Sequence, residues 1–113
     1  MTAQGLGIDI GGTQLRAAVV AADGTVLSRE RRPTPADDPG SLVPTLVALI
    51  RQIWDRTETQ VPVGIGIAGL VTVDGAVRYG PNIGIRELPL AAILRERLGA
   101  EVLIANDASV AAL

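Results

Sequence analysis

The stretch Gly5-Leu6-Gly7-Ile8-Asp9-Ile10-Gly11-Gly12-Thr13-Gln14-Leu15-Arg16 decides how the rest of the chain folds. Leu6, Ile8 and Ile10 alternate with smaller or polar residues, which predicts a buried strand over about Gln4 to Ile10 with Asp9 on its other face. A second strand is expected from about Leu15 to Ala22. Two glycines and a threonine lie between them, the composition of a tight hairpin turn. Gly11 and Gly12 accept φ > 0 without steric cost, and lacking a Cβ they let their N–H groups approach a bulky anion. Thr13 adds a hydroxyl at the turn, and Asp9 a carboxylate at the strand end. Backbone donors beside a carboxylate suit a phosphate that arrives with Mg2+: the amides hold phosphate oxygens and the acid holds the metal's waters. Taken alone, the two glycines make no more than a hairpin turn with a polar neighbour. The stretch is not a P-loop, since no Gly-Lys-Ser/Thr follows, and not a dinucleotide fingerprint, which would open a helix.

The chain has 113 residues, enough for one domain with one core. Apolar residues make up 48% of it, which excludes a disordered chain. All ten basic residues are arginines, against twelve acids, for a net charge of −2. They are scattered along the sequence, with only Arg31 and Arg32 adjacent, so no nucleic-acid partner is expected. With no Cys and no His there is no disulfide, no thiolate metal site and no imidazole proton shuttle, so base chemistry falls to carboxylates. No segment reads as a leader or a membrane span, and a soluble cytoplasmic protein is expected.

Asp23-Gly24 predicts a type I′ hairpin into a third strand from Thr25 towards Arg32. The prolines at 33, 35 and 39 mark a loop, and Ser41 is the expected N-cap of the helix that follows. Leu42, Leu46, Leu49 and Ile53, with Val43, Val47, Ile50 and Trp54, form its wide apolar stripe. Val61 to Ala68 is the next strand, Val71 to Arg78 a small hairpin on Asp74-Gly75, and Tyr79 to Ile85 a loop. A helix from about Pro89 to Leu98 closes on Gly99. A strand over Glu101 to Ala105 leads to Asn106-Asp107, where a last helix begins. Three antiparallel strands followed by αβ units describe an α/β mixed sheet with helices on its faces.

Asn106 and Asp107 fall where a strand's carboxyl end meets a helix, the place where open α/β sheets bind ligands. There the helix dipole favours an ionised Asp107 by roughly 0.3–1 kcal/mol. By themselves the two are also ordinary helix-capping residues.

Taken together, the opening motif, Gly64-Ile65-Gly66-Ile67-Ala68-Gly69-Leu70-Val71, Gly80-Pro81-Asn82, Leu88-Pro89-Leu90 and Ala105-Asn106-Asp107-Ala108 resemble, in order and spacing, the ROK family (repressors, open reading frames and kinases). The resemblance covers essentially the whole chain. It implies the ribonuclease H-like lobe of an actin-like ATPase fold, and a sugar kinase using ATP and Mg2+ to phosphorylate a hexose at its 6-hydroxyl, glucose first among the candidates. By that resemblance Asp107 is the general base. Asn106 bonds neighbouring sugar hydroxyls, and Gly69 and Asn82 line the sugar pocket. Gly11, Gly12 and Thr13 contact the ATP phosphates, and Asp9 acts on Mg2+ through water.

Two positions depart from the family pattern: Ala68 where Pro is usual, and Ile85 where an aromatic is common. The family's adenosine site, Glu-x-x-His motif and zinc cysteines have no counterpart in these residues. The chain is therefore expected to be a single N-terminal lobe, 1–113, inactive without a C-terminal lobe. An exposed lobe interface also leaves a homodimer open. Two other readings accompany this one: a ROK transcriptional repressor that senses sugar, and a non-catalytic sugar-binding lobe.

Overall fold

The computed structural model describes residues 2–35, 38–80 and 85–106. Strands β1 (Ala3–Ile10), β2 (Gln14–Ala21) and β3 (Val26–Pro33) form the expected meander, and a 3-10 turn at Pro39–Ser41 runs into helix α1 (Leu42–Thr57). Then follow β4 (Val63–Ile67), β5 (Leu70–Val71), β6 (Val77–Gly80), β7 (Ile85–Leu88), helix α2 (Leu90–Leu98) and β8 (Val102–Asn106). The main sheet has the order β3-β2-β1-β4-β8, and β5-β6-β7 form a separate small one. β1, β4 and β8 are parallel, in a register that aligns Ile10 with Ile67 and Ile67 with Asn106. The carboxyl ends of all three therefore lie on one edge.

Period-two alternation sorts the sheet into two unlike faces. Leu6, Ile8, Ile10, Leu15, Ala17, Val19, Val63, Ile65, Ile67, Val102 and Ile104 are buried on one face, in a core shared with both helices. To that core α1 brings Leu42, Leu46, Val47, Leu49, Ile50, Ile53 and Trp54, and α2 brings Leu90, Ala91, Leu94 and Leu98. The Trp54 indole N–H donates to the Val61 carbonyl at 3.1 Å, so its one polar atom is paired inside. Both parallel crossovers, β1 to β4 and β4 to β8, step the same way across the sheet, so right-handed connections put α1 and α2 on one side. The described helices thus cover one face; the expected helix after Asp107 lies outside the described residues.

Several local expectations change. Gly24 has φ +89° but Asp23 does not have positive φ, and the Gly24 N–H donates to the Ala21 carbonyl. This is a three-residue loop, a type I turn closed by a left-handed glycine, and not type I′. Val73-Asp74-Gly75 repeats it, with Gly75 at φ +86°. The Thr25 N–H and hydroxyl hold the Asp23 carboxyl below its ordinary pKa, and the Thr72 hydroxyl does the same for Asp74. Ser41 precedes α1 but makes no cap bond; its hydroxyl donates to the Asp38 carboxylate at 2.6 Å. The expected loop up to Ile85 contains the ends of β6 and β7 instead.

α1 ends on Glu58, exposed and left-handed at φ 57°, ψ 22°, where glycine has no Cβ penalty. Glu58→Gly is expected to raise stability by about 1 kcal/mol. An unchanged or lower thermal midpoint would count against this account of the cap.

Among the described residues no helix is long and apolar enough to cross a membrane.

Candidate functional site

The turn between β1 and β2 is drawn tight by the Gly11 N–H, which donates to the Gln14 carbonyl at 3.0 Å. A Cβ on Gly11 would sit 2.9 Å from that same carbonyl oxygen, closer than real Cβ atoms approach. Close approach, then, is why glycine stands here; neither Gly11 nor Gly12 has positive φ. Because the Gly11 donor is spent inside the turn, the N–H groups of Gly12 and Thr13 are the ones left without an acceptor among the described residues. The Thr13 side chain beside them is exposed.

Sequence reasoning missed the residue that braces this turn. Thr34 is buried, its hydroxyl donates to the Gly11 carbonyl at 2.7 Å, and its N–H donates to the Thr13 carbonyl at 3.0 Å. The Pro-Thr-Pro stretch read as loop because prolines cannot continue a sheet. A threonine between them gave no local signal that it reaches back to the turn. Thr34→Val keeps the shape but strips Gly11 of that donor. It is expected to cost about 1–2 kcal/mol of stability in denaturant melts, with Thr34→Ser losing less.

At the other end of the same edge, Asn106 closes β8, and its side-chain amide donates to the Gly69 carbonyl at 2.7 Å. Gly69 has φ +144°, a conformation that favours glycine, just after β4. Two residues assigned to the sugar pocket, 37 positions apart, are thereby joined. Asn106 stands two strands from Ile10, about 10 Å at the usual strand spacing. The Gly11–Thr13 turn and the Asn106–Gly69 pair therefore stand on one edge of the sheet. Asp107 and Asn82 lie outside the described residues.

Asp9 is exposed on the face away from the helices, one residue below the edge, with Arg16 as its partner across the ladder. The described residues contain no cluster of three or more acids that could hold a metal by itself. A lone exposed carboxylate near unpaired amides fits Mg2+ that keeps its waters and arrives on a phosphate.

A strand–turn–strand meander followed by αβ units that bring a polar pair to the same edge is the architecture of one lobe of an actin-like ATPase fold. The chain belongs to the ROK family, whose model matches residues 5–113. It is 38% identical over 108 residues to a glucokinase of Streptomyces coelicolor, covering 95% of this chain and 33% of that protein. It is 36% identical to an N-acetyl-D-glucosamine kinase of Erwinia tasmaniensis, covering 95% of this chain and 36% of that protein. The crystal structure of a ROK family glucokinase from Streptomyces griseus, in complex with glucose and AMPPNP, superposes with a TM-score of 0.82 at 37% identity, covering 95% of this chain and 34% of that one. The chain spans about a third of the length of these relatives.

Proposed function

We propose that this chain is the N-terminal lobe of a sugar kinase that transfers the γ-phosphoryl group of ATP to the 6-hydroxyl of a hexose, giving ADP and the hexose 6-phosphate. The observation that carries the reading is the common edge: the unpaired Gly12 and Thr13 amides at one end, and Asn106 bonded to Gly69 at the other. The names of the relatives support the class, and the glucokinases among them favour glucose over N-acetylated hexosamines.

In this reading the Gly12 and Thr13 N–H groups hold oxygens of the phosphate chain, and Gly11 keeps the turn narrow enough for them to converge. Asp9 would hold Mg2+ through water; when bound, the metal neutralises phosphate charge. Asn106, anchored by Gly69, presents its amide to sugar hydroxyls beside the reacting one. Asp107 takes the proton of the 6-hydroxyl as its oxygen attacks phosphorus in line, and Asn82 completes the sugar side. Phosphoryl transfer draws mainly on positioning and charge neutralisation, which a rigid sheet edge supplies. The 113-residue chain by itself binds its ligands weakly and does not turn over.

The test is ADP release by the full-length protein with glucose, N-acetylglucosamine, N-acetylmannosamine, fructose and allose, with the phosphorylated position read by 31P NMR. Glucose is expected to lead in kcat/KM by about tenfold or more. Sugar binding without ADP release from any hexose would replace this reading with a sensor or a non-catalytic sugar-binding lobe.

A further inference from the structure

Among the described residues Thr34 is the one polar side chain that is buried, and buried hydroxyls are kept where they are bonded. β3 ends at Pro33, which pairs with Gln14, so the next residue reaches past the ladder onto the β1–β2 turn. There Thr34 takes a carbonyl with each of its donors, Gly11 with the hydroxyl and Thr13 with the N–H. Pro33 has its φ locked and Pro35 disfavours a helical backbone at the residue before it. The segment that carries the hydroxyl is therefore stiff.

What these two bonds fix is the direction of peptide units. A trans peptide unit is planar, with its C=O and N–H pointing opposite ways, and no cis bond occurs among the described residues. The Gly11 carbonyl and the Gly12 N–H belong to one unit. Holding the oxygen at 2.7 Å thus also aims the Gly12 N–H, away from Thr34. Neither glycine carries a Cβ to bar the rotation that would exchange the two directions. The Thr13–Gln14 unit is held in the same manner through the Thr34 N–H, at 3.0 Å. Between them the Gly12–Thr13 unit has no hydrogen bond among the described residues, and its direction follows from the two neighbours that Thr34 holds.

We propose that Thr34 is a positioning residue for the phosphoryl donor: its hydroxyl touches no ligand, but by holding the Gly11–Gly12 peptide unit it keeps the Gly12 N–H aimed at a phosphate oxygen. That the turn meets the donor rests on the kinase reading above; that Thr34 sets the direction of the Gly12 N–H does not.

The experiment compares Thr34→Val, Thr34→Ser and Thr57→Val in the full-length protein, by steady-state kinetics and by the residual dipolar coupling of the Gly12 N–H in 15N-labelled samples. Thr57 is the control: its hydroxyl donates to the Trp54 and Thr59 carbonyls at 3.2 and 3.0 Å, beside Thr2 and Ala3 at the other end of β1. Thr34→Val should raise the KM for ATP about tenfold, the loss of one charge-assisted bond. The sugar KM and kcat should stay within about threefold. Its Gly12 coupling should change while those of Ile8 and Ile10 hold. Thr34→Ser should restore both readouts, and Thr57→Val should move neither. Before any substitution, the Gly12 N–H of the parent should have an order parameter near that of rigid backbone, about 0.85. A value below about 0.6 overturns the proposal even if Thr34→Val does not fold. An unchanged Gly12 coupling in Thr34→Val overturns it too, as does a rise in ATP and sugar KM together or an equal effect of Thr57→Val. A changed coupling with the ATP KM unmoved overturns the donor role alone. Absence of turnover with every hexose overturns the donor role together with the kinase reading, while the coupling still decides whether Thr34 sets the Gly12 N–H.

Discussion

Asp107→Ala in the full-length protein is expected to lower kcat by about 10²–10⁴-fold, the usual contribution of a positioned general base. Sugar affinity should weaken far less. The asymmetry follows from the proposed division of labour on the edge. Asn106 is fixed by its bond to Gly69, and in the proposed reading it carries the recognition of neighbouring hydroxyls. In the same reading Asp107, the next residue, takes a proton that becomes acidic only as the oxygen attacks phosphorus. Asp107→Asn refines the test, because an amide keeps a hydrogen bond to the hydroxyl but cannot accept its proton. It should leave KM nearly unchanged while kcat falls as in the alanine variant. A variant that loses sugar binding and kcat in parallel would make Asp107 a binding residue only. One that loses neither would remove it from the site.

How much of this was legible beforehand depends on how far each feature reaches. β1, β2, α1 and α2 declare themselves through local periodicity, because each buries one side against a common core; Leu42 to Trp54 is the clearest case. Gly99 is legible for the same reason, since a left-handed residue after a helix needs only its own backbone. Asp-Gly marks a hairpin but leaves the turn type open, as one and two positive φ values both tolerate the dipeptide. β7 is concealed because Ile85–Leu88 is four residues long and belongs to a sheet of its own. The site divides in the same way. The Gly11–Thr13 turn is visible in twelve consecutive residues. The Thr34 brace, 23 positions away, and the Asn106–Gly69 bond, 37 positions away, exist only once the sheet is assembled.

The second large effect is structural, and two matching loops isolate it. Gly24 and Gly75 occupy the same position in the two three-residue hairpins, at φ +89° and +86°. Alanine at either must adopt a left-handed backbone, at about 1–2 kcal/mol. At Gly24 that is the whole cost, because a Cβ there would meet nothing within 4 Å. At Gly75 the new methyl carbon would lie 2.4 Å from the Cβ of Ala91, itself fully buried at the start of α2. The Gly75 carbonyl also accepts from the Ala91 N–H at 3.1 Å, so the loop cannot back away without breaking that bond. Overpacking adds about 1–3 kcal/mol. Gly75→Ala is therefore expected to destabilise by about 3 kcal/mol and Gly24→Ala by about half as much, read from paired denaturant melts. The hairpin beyond Gly69 is held to α2 through this contact, so Gly75→Ala should also loosen the Gly69 turn and weaken sugar binding, whereas Gly24→Ala, at the far end of β2, should not. Equal losses for the two alanines would mean that backbone conformation alone decides both positions, and that the loop does not press on α2.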